Sequence, residues 1–133
     1  MKFREMKYTR PDVAAIKERI TRNTERLRGA QTYEEAREVF LEEDRANRHD
    51  MTAEVLASIR HSVDSRDTFY DEEMKFWNTA LPELQEYTQM WTQAMLESRF
   101  RPQFSEEFGD VMFVNAEIEL KTFSPEIIPE LQK

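Results

Sequence analysis

Between residues 69 and 100 the apolar side chains follow one repeating pattern. Tyr70, Met74, Trp77, Leu81, Leu84, Thr88, Trp91 and Met95 are spaced alternately four and three apart. On a helix that spacing puts all eight on one seam. A second row, Phe69, Phe76, Ala80, Tyr87, Met90 and Ala94, lies beside it and widens the stripe. Both tryptophans, two of the four tyrosines and three of the seven methionines sit here. The pattern predicts a core helix around which two or three others pack; the alternative is an exposed face built for a partner. Trp77, Leu81, Leu84, Trp91 and Met95 are expected among the buried residues. Pro82 falls inside the segment without shifting the phase of the seam, which predicts a kinked but continuous helix. Arg101-Pro102 is expected to end it, because a residue before proline is pushed away from helical geometry.

The same reading places the other elements. Residues 1–10 form a short extended lead that Phe3, Met6 and Tyr8 anchor against the body. Pro11 and Asp12 suit the start of a helix, and Val13, Ile16, Ile20 and Leu27 mark its apolar face up to Gly29. Thr32-Tyr33-Glu34-Glu35 is a capping-box pattern that opens a second helix, whose face begins with Tyr33, Ala36, Val39 and Phe40. Residues 42–50 are nearly all charged or polar, and Met51, Val55, Leu56, Ile59 and Val63 then resume a helical stripe. With no Gly or Pro between 32 and 64, one long helix is favoured, the alternative being a turn within 47–52. The turn residues Asp64, Ser65, Arg66 and Asp67 precede the central helix. Residues 103–108 read as a short helical turn closed by Gly109. Val111-Met112-Phe113-Val114 resembles a buried strand, but its continuation through Ala116, Ile118 and Leu120 favours a helix capped by Asp110. Ser124-Pro125-Glu126 opens a last helix. The expectation is an all-α fold, an antiparallel bundle of long helices near 12–28, 33–63, 68–100, 110–122 and from 125 onward, with residues 1–133 forming a single region.

Composition narrows the function. The chain has 133 residues, 2 glycines, 5 prolines and no cysteine. That excludes a disulfide scaffold and a cysteine-based zinc site, and it fits a reducing, cytoplasmic compartment. A formal net charge of −8 disfavours nucleic acid as a partner, since binding it rests on neutralising phosphates. The locally basic residues Lys17, Arg19, Arg22, Arg26 and Arg28 read as a solvated helix face. No run approaches the roughly 20 apolar residues of a membrane span, so no membrane partner is expected.

The catalytic inventory is empty. His49 and His61 are the two histidines, and neither belongs to a His-Glu-x-x-His pattern or to the Glu-x-x-His of a di-iron bundle. A surface hydrogen bond between His61 and Asp64, one helical turn apart, is the plain account of that pair. The acidic runs Glu42-Glu43-Asp44, Asp71-Glu72-Glu73 and Glu106-Glu107 each fan around a helix and are expected to be solvated. With glycines only at 29 and 109 there is no phosphate-cradling loop. No catalytic, cofactor-binding or metal-binding residue is assigned in this chain.

Three islands add a more specific reading. They are MKFREMKYTRPD, carried by Phe3, Tyr8, Arg10 and Pro11; SIRHSVDSRDTFYDEE, carried by Ile59, Arg60, His61, Asp64, Asp67, Phe69 and Tyr70; and LKTFSPEIIPEL, carried by Phe123, Ser124, Pro125, Glu126 and Ile127. In order and spacing they resemble the N-terminal region of oligoendopeptidase F, in the thimet-oligopeptidase family of zinc metallopeptidases. The resemblance implies a mostly helical fold with a deep channel that admits short peptides, part of whose wall this region builds. It also implies that the zinc and the general base come from a His-Glu-x-x-His helix and a downstream glutamate, far beyond position 133. The competing reading is a stand-alone helical interaction module without enzymatic activity. The implied partners are the remainder of a peptidase chain or another copy of this one. Ile127, Ile128 and Leu131 must fray, fold back or meet a second copy, and self-association of the isolated chain as a two-fold dimer is expected.

Overall fold

The computed structural model describes residues 7–122. The expected anchors Phe3 and Met6, the island residues from Phe123 to Ile127 and the helix from 125 onward lie outside the described residues. Five helices follow one another: α1 (Val13–Gly29), α2 (Tyr33–Val63), α3 (Thr68–Glu97), α4 (Arg101–Phe108) and α5 (Val111–Thr122), with no strand among the described residues. The fold is all-α. Short turns make α1, α2 and α3 antiparallel neighbours, and each packs on the other two.

Local chemistry sets the ends. Asp12 caps α1 by accepting from Ala15 N, Thr32 caps α2 by accepting from Glu35 N, and Asp67 caps α3 by accepting from Phe69 N. Each satisfies a donor that the helix itself leaves unpaired. The reciprocal half of the capping box is displaced by one residue: the Glu35 carboxylate accepts from Gln31 N at 2.8 Å. No turn interrupts α2 at 47–52, so the one-helix reading holds, and α3 runs unbroken through Pro82.

The C-terminus of α3 differs from expectation. The helix stops at Glu97, and Arg101-Pro102 opens α4 rather than closing α3. Proline within a first turn sacrifices only an N–H that has no helical partner there. Ser98 Oγ accepts from Phe100 N at 3.1 Å to make the intervening turn. Arg99 pins that turn to the α1–α2 connection by donating to Ala30 O and Gln31 O at 3.0 and 2.9 Å. Gly109, at φ 92°, closes α4 in a backbone region that side chains disfavour.

The larger core joins Leu27, Ala36, Val39, Ala94, Met95, Phe104 and Phe113 at one end of the bundle, and a smaller one joins Ile16, Ile20 and Leu84. Phe113 is fully buried, which fits the helical reading of 111–114. Trp77, Leu84 and Met95 are buried as expected, whereas Leu81 is 36% exposed and Trp91 only half-buried. Leu81 lines an open cleft, and Trp91 packs at the margin of both cores.

The second stripe of α2 is a larger correction. Met51, Val55, Ile59 and Val63 face outward, Val63 being 82% exposed, and only Leu56 of that set is buried. The inward seam is instead Ala36, Glu43, Asp50 and Ala57, each seven residues from the next. The two alanines are fully buried, and the two carboxylates meet Arg19 of α1.

Candidate functional site

Tyr8 and Arg10 of the first island meet the second island and the helix that follows it. Residues 7–10 lie against the N-terminal half of α3, where Arg10 Nε donates to Glu73 Oε1 at 3.0 Å and its Nη2 pairs with Oε2. Tyr8 Oη donates to the same Glu73 carboxylate and accepts from Trp77 Nε1 at 3.2 Å. The Tyr8 ring meets the rings of Phe69 and Tyr70 edge-on, at 6.0 and 5.9 Å between centroids. The Arg10 guanidinium lies over Phe76, 4.4 Å from its centre. Arg60 at the end of α2 donates to Tyr70 Oη at 3.0 Å. Tyr8 thus anchors the lead as expected. Of the residues that carry the family resemblance here, Tyr8 and Arg10 hold the lead to α3, and Arg60 ties α2 to α3 through Tyr70.

Glu73 is only 4% exposed, against the expectation of a solvated acidic face. Three consecutive acids fan over about 200° of a helix, and here the third turns inward, where Arg10 and Tyr8 satisfy it. The Arg10 hydrogen bond holds the Glu73 carboxyl below its usual range; burial opposes this and the Tyr8 hydroxyl adds to it. Burial, followed by the hydrogen bond to Glu73, pushes the Tyr8 phenol up to about 12.

A second buried charge cluster lies between α1 and α2. Arg19 grips Glu43 through Nε and Nη2 at 3.1 and 3.0 Å, and its Nη1 reaches Asp50 Oδ2 at 2.7 Å. Asn23, fully buried, donates from Nδ2 to Glu43 Oε1 at 3.0 Å and accepts from Arg26 at Oδ1. Burial pulls the Arg19 guanidinium down, but the hydrogen bonds to Glu43 and Asp50 outweigh it and hold the group above its usual value. Arg19 and Glu43 therefore leave the solvated classes that composition gave them. The two carboxylates converge on one arginine, which satisfies them and leaves neither open for acid–base work.

His61 pairs with Asp71 Oδ1 of α3 at 3.5 Å, not with Asp64. Asp64 instead accepts from Arg66 N at 3.1 Å within the α2–α3 turn. Among the described residues no group of three or more His, Cys, Asp or Glu is placed to hold a metal ion, and none of their helices is long and apolar enough to cross a membrane.

A cleft of about 540 Å³ opens between α2 and α3, floored by Ile16, Ile20 and Leu84 and flanked by Met51, Leu81 and Trp77. It runs into a smaller cavity of about 200 Å³ beneath α5, and Glu119 lines both. Periodicity concealed it, because its walls are the outward flank of one stripe and the polar 42–50 stretch.

The family description "Peptidase M3 N-terminal domain" matches residues 3–123. Among solved structures, PZ peptidase A with an inhibitor matches at 31% identity and TM-score 0.88, over 98% of this chain and 23% of that one. An oligoendopeptidase F from Bacillus anthracis str. Ames matches at 35% identity and TM-score 0.88, over 99% and 24%. A further oligoendopeptidase F structure matches at 30% identity and TM-score 0.88, over 99% and 23%. No curated protein sequence matches. The chain spans about a quarter of the length of these solved relatives.

Proposed function

The chain belongs to the peptidase M3 N-terminal domain family, and from that premise we propose that it is the non-catalytic helical N-terminal part of a zinc-dependent oligoendopeptidase that hydrolyses short peptides. In this reading it forms part of the wall of the substrate channel. The remainder of the peptidase supplies the zinc, the general base and the chemistry. The observation that carries the reading is the match over residues 3–123 together with a likeness of TM-score 0.88 to oligoendopeptidase F.

Two outward apolar rows support it: Val55, Ile59 and Val63 on α2, and Val111, Val114 and Ile118 on α5. Contiguous exposed apolar surface marks places where more protein packs, and the remainder of the peptidase is the partner that fits. The cysteine-free composition suits a cytoplasmic enzyme.

Sequencing the gene beyond the codon for Lys133 tests the proposal. An open frame encoding His-Glu-x-x-His is expected. A stop codon there overturns it in favour of the stand-alone interaction module. In the full enzyme, removing metal with a chelator should abolish peptide hydrolysis, and the 133-residue chain alone should hydrolyse nothing.

A further inference from the structure

The cleft between α2 and α3 joins an apolar floor to a polar rim. The floor is Ile16 and Ile20 of α1 with Leu84 of α3, all buried. Where the cleft meets the cavity beneath α5, the two share Ile20, Asn47, Thr88 and Glu119. No lysine, arginine or histidine among the described residues lines either one. The acids there differ in what they already hold. Arg19 takes Glu43 and Asp50, and Arg48 takes Asp44. Glu119, half-buried, has no ion pair among the described residues.

That lining suits an amphipathic cation. The cleft volume of about 540 Å³ falls within the roughly 300–1,000 Å³ of sites that enclose small ligands, which are likewise mostly apolar with a few polar groups. Basic side chains lay an aliphatic stem along apolar surface and keep the charged head at a polar edge. In a chain of net charge −8, whose cleft offers no competing cation, Glu119 attracts such a head. The spacing agrees. Leu84 and Thr88 are four residues apart on α3, about 6 Å. In an extended peptide, side chains two residues apart share a face and lie about 7 Å from each other.

We propose that the cleft binds a short peptide through a basic side chain whose charged head meets Glu119, with an apolar side chain two residues away seated over Ile16 and Leu84. Glu119 is then a specificity-determining residue. The peptide as carrier rests on the peptidase reading, whereas the preference for a cation rests on the cleft alone.

Both tryptophans line these cavities, Trp77 the cleft and Trp91 the smaller one, so the fluorescence of the 133-residue chain reports occupancy without catalysis. The probes are acetyl-Leu-Ala-Lys-amide and acetyl-Leu-Ala-norleucine-amide, which differ only in the ammonium group. The lysine peptide should bind roughly tenfold tighter, the order of one charge-assisted contact, and Glu119→Gln should remove that advantage. Glu117→Gln is the control. It makes the same charge change on α5 at a carboxylate paired with Arg101, and it should leave the preference intact. Equal affinities for the two peptides overturn the proposal. Equal losses in the two variants overturn it in favour of diffuse attraction to an acidic chain. Binding of neither peptide overturns it too, and a dimer in light scattering that Met51→Arg dissolves then makes a second copy the occupant. A reading frame without His-Glu-x-x-His would defeat the peptidase reading and leave the measured preference for a cation standing.

Discussion

Replacing Glu43 with alanine tests whether the charge cluster between α1 and α2 holds those helices together. Glu43 is 4% exposed and accepts two hydrogen bonds from Arg19, whose side chain is 16% exposed. Removing one partner of a buried ion pair costs about 3–5 kcal/mol, because the other charge stays buried without it. Asp50 still holds Arg19 at 2.7 Å, which moves the figure toward the lower end. Asn23 Nδ2 loses its acceptor in a fully buried residue, adding part of the roughly 1–3 kcal/mol that an unsatisfied group costs. The expected loss is about 3–4 kcal/mol, a large share of the roughly 5–15 kcal/mol that holds a domain folded. In urea the midpoint should fall by more than about 1 M at unchanged slope. The control is its neighbour: Glu42 pairs with Arg26 at the surface, with side chains 48% and 40% exposed, so Glu42→Ala should stay within about 0.5 kcal/mol. If the two variants melt within about 0.5 kcal/mol of each other, the cluster contributes no more than a surface pair and the reasoning fails.

Leu84→Ala should cost about 2–5 kcal/mol by opening the smaller core, and a loss under about 0.5 kcal/mol in the same urea assay would mean that this core is loosely packed. Glu73 titrates below its usual range when folded, so its contribution is present above the unfolded value near 4.3 and is lost as pH falls through the folded value. Glu73→Gln should flatten that part of the acid limb of stability against pH; an unchanged limb would remove the Arg10 contact from the account. At the alkaline end the Tyr8 phenol is raised to about 12, so stability should decline from pH ~10 toward 12 and Tyr8→Phe should reduce that decline. The isolated chain should self-associate through the outward rows of α2 and α5, and light scattering over a concentration series should show Val55→Glu together with Ile118→Glu returning it to a monomer. Metal analysis should find no stoichiometric zinc on the isolated chain, since two histidines without cysteine make no usual four-ligand site; one tight zinc per chain, abolished by His61→Ala, would refute this.

The helices were readable because their ends carry local chemistry. Asp12, Thr32 and Asp67 cap through their own side chains, and that signal needs no knowledge of the rest of the fold. Arg101-Pro102 misled because proline stops one helix and starts another equally well. Only the packing of Phe104 in the larger core decides between them. His61 misled in the same way: Asp64 is its neighbour along the chain, but Asp71 is its neighbour across the α2–α3 turn.

The buried acids were hidden for a different reason. Periodicity assigns a face by counting apolar residues, and on that count the C-terminal half of α2 should bury Met51, Val55, Ile59 and Val63. Burial in fact takes the seven-residue series Ala36, Glu43, Asp50 and Ala57 along with Val39 and Leu56, because Arg19 of α1 stands opposite the two acids. A carboxylate that meets an arginine can occupy an inward position, so the acids alone cannot be placed before their partner is known. The consequence reaches function. With much of the inward seam taken by alanines and acids, Met51, Val55, Ile59 and Val63 of α2 are left facing out, and Val111, Val114 and Ile118 of α5 are exposed as well. A bundle built only to bury its own apolar residues would have the reverse arrangement. The outward rows make physical sense if further protein covers them, which is the arrangement expected of a helical segment spanning about a quarter of its solved relatives.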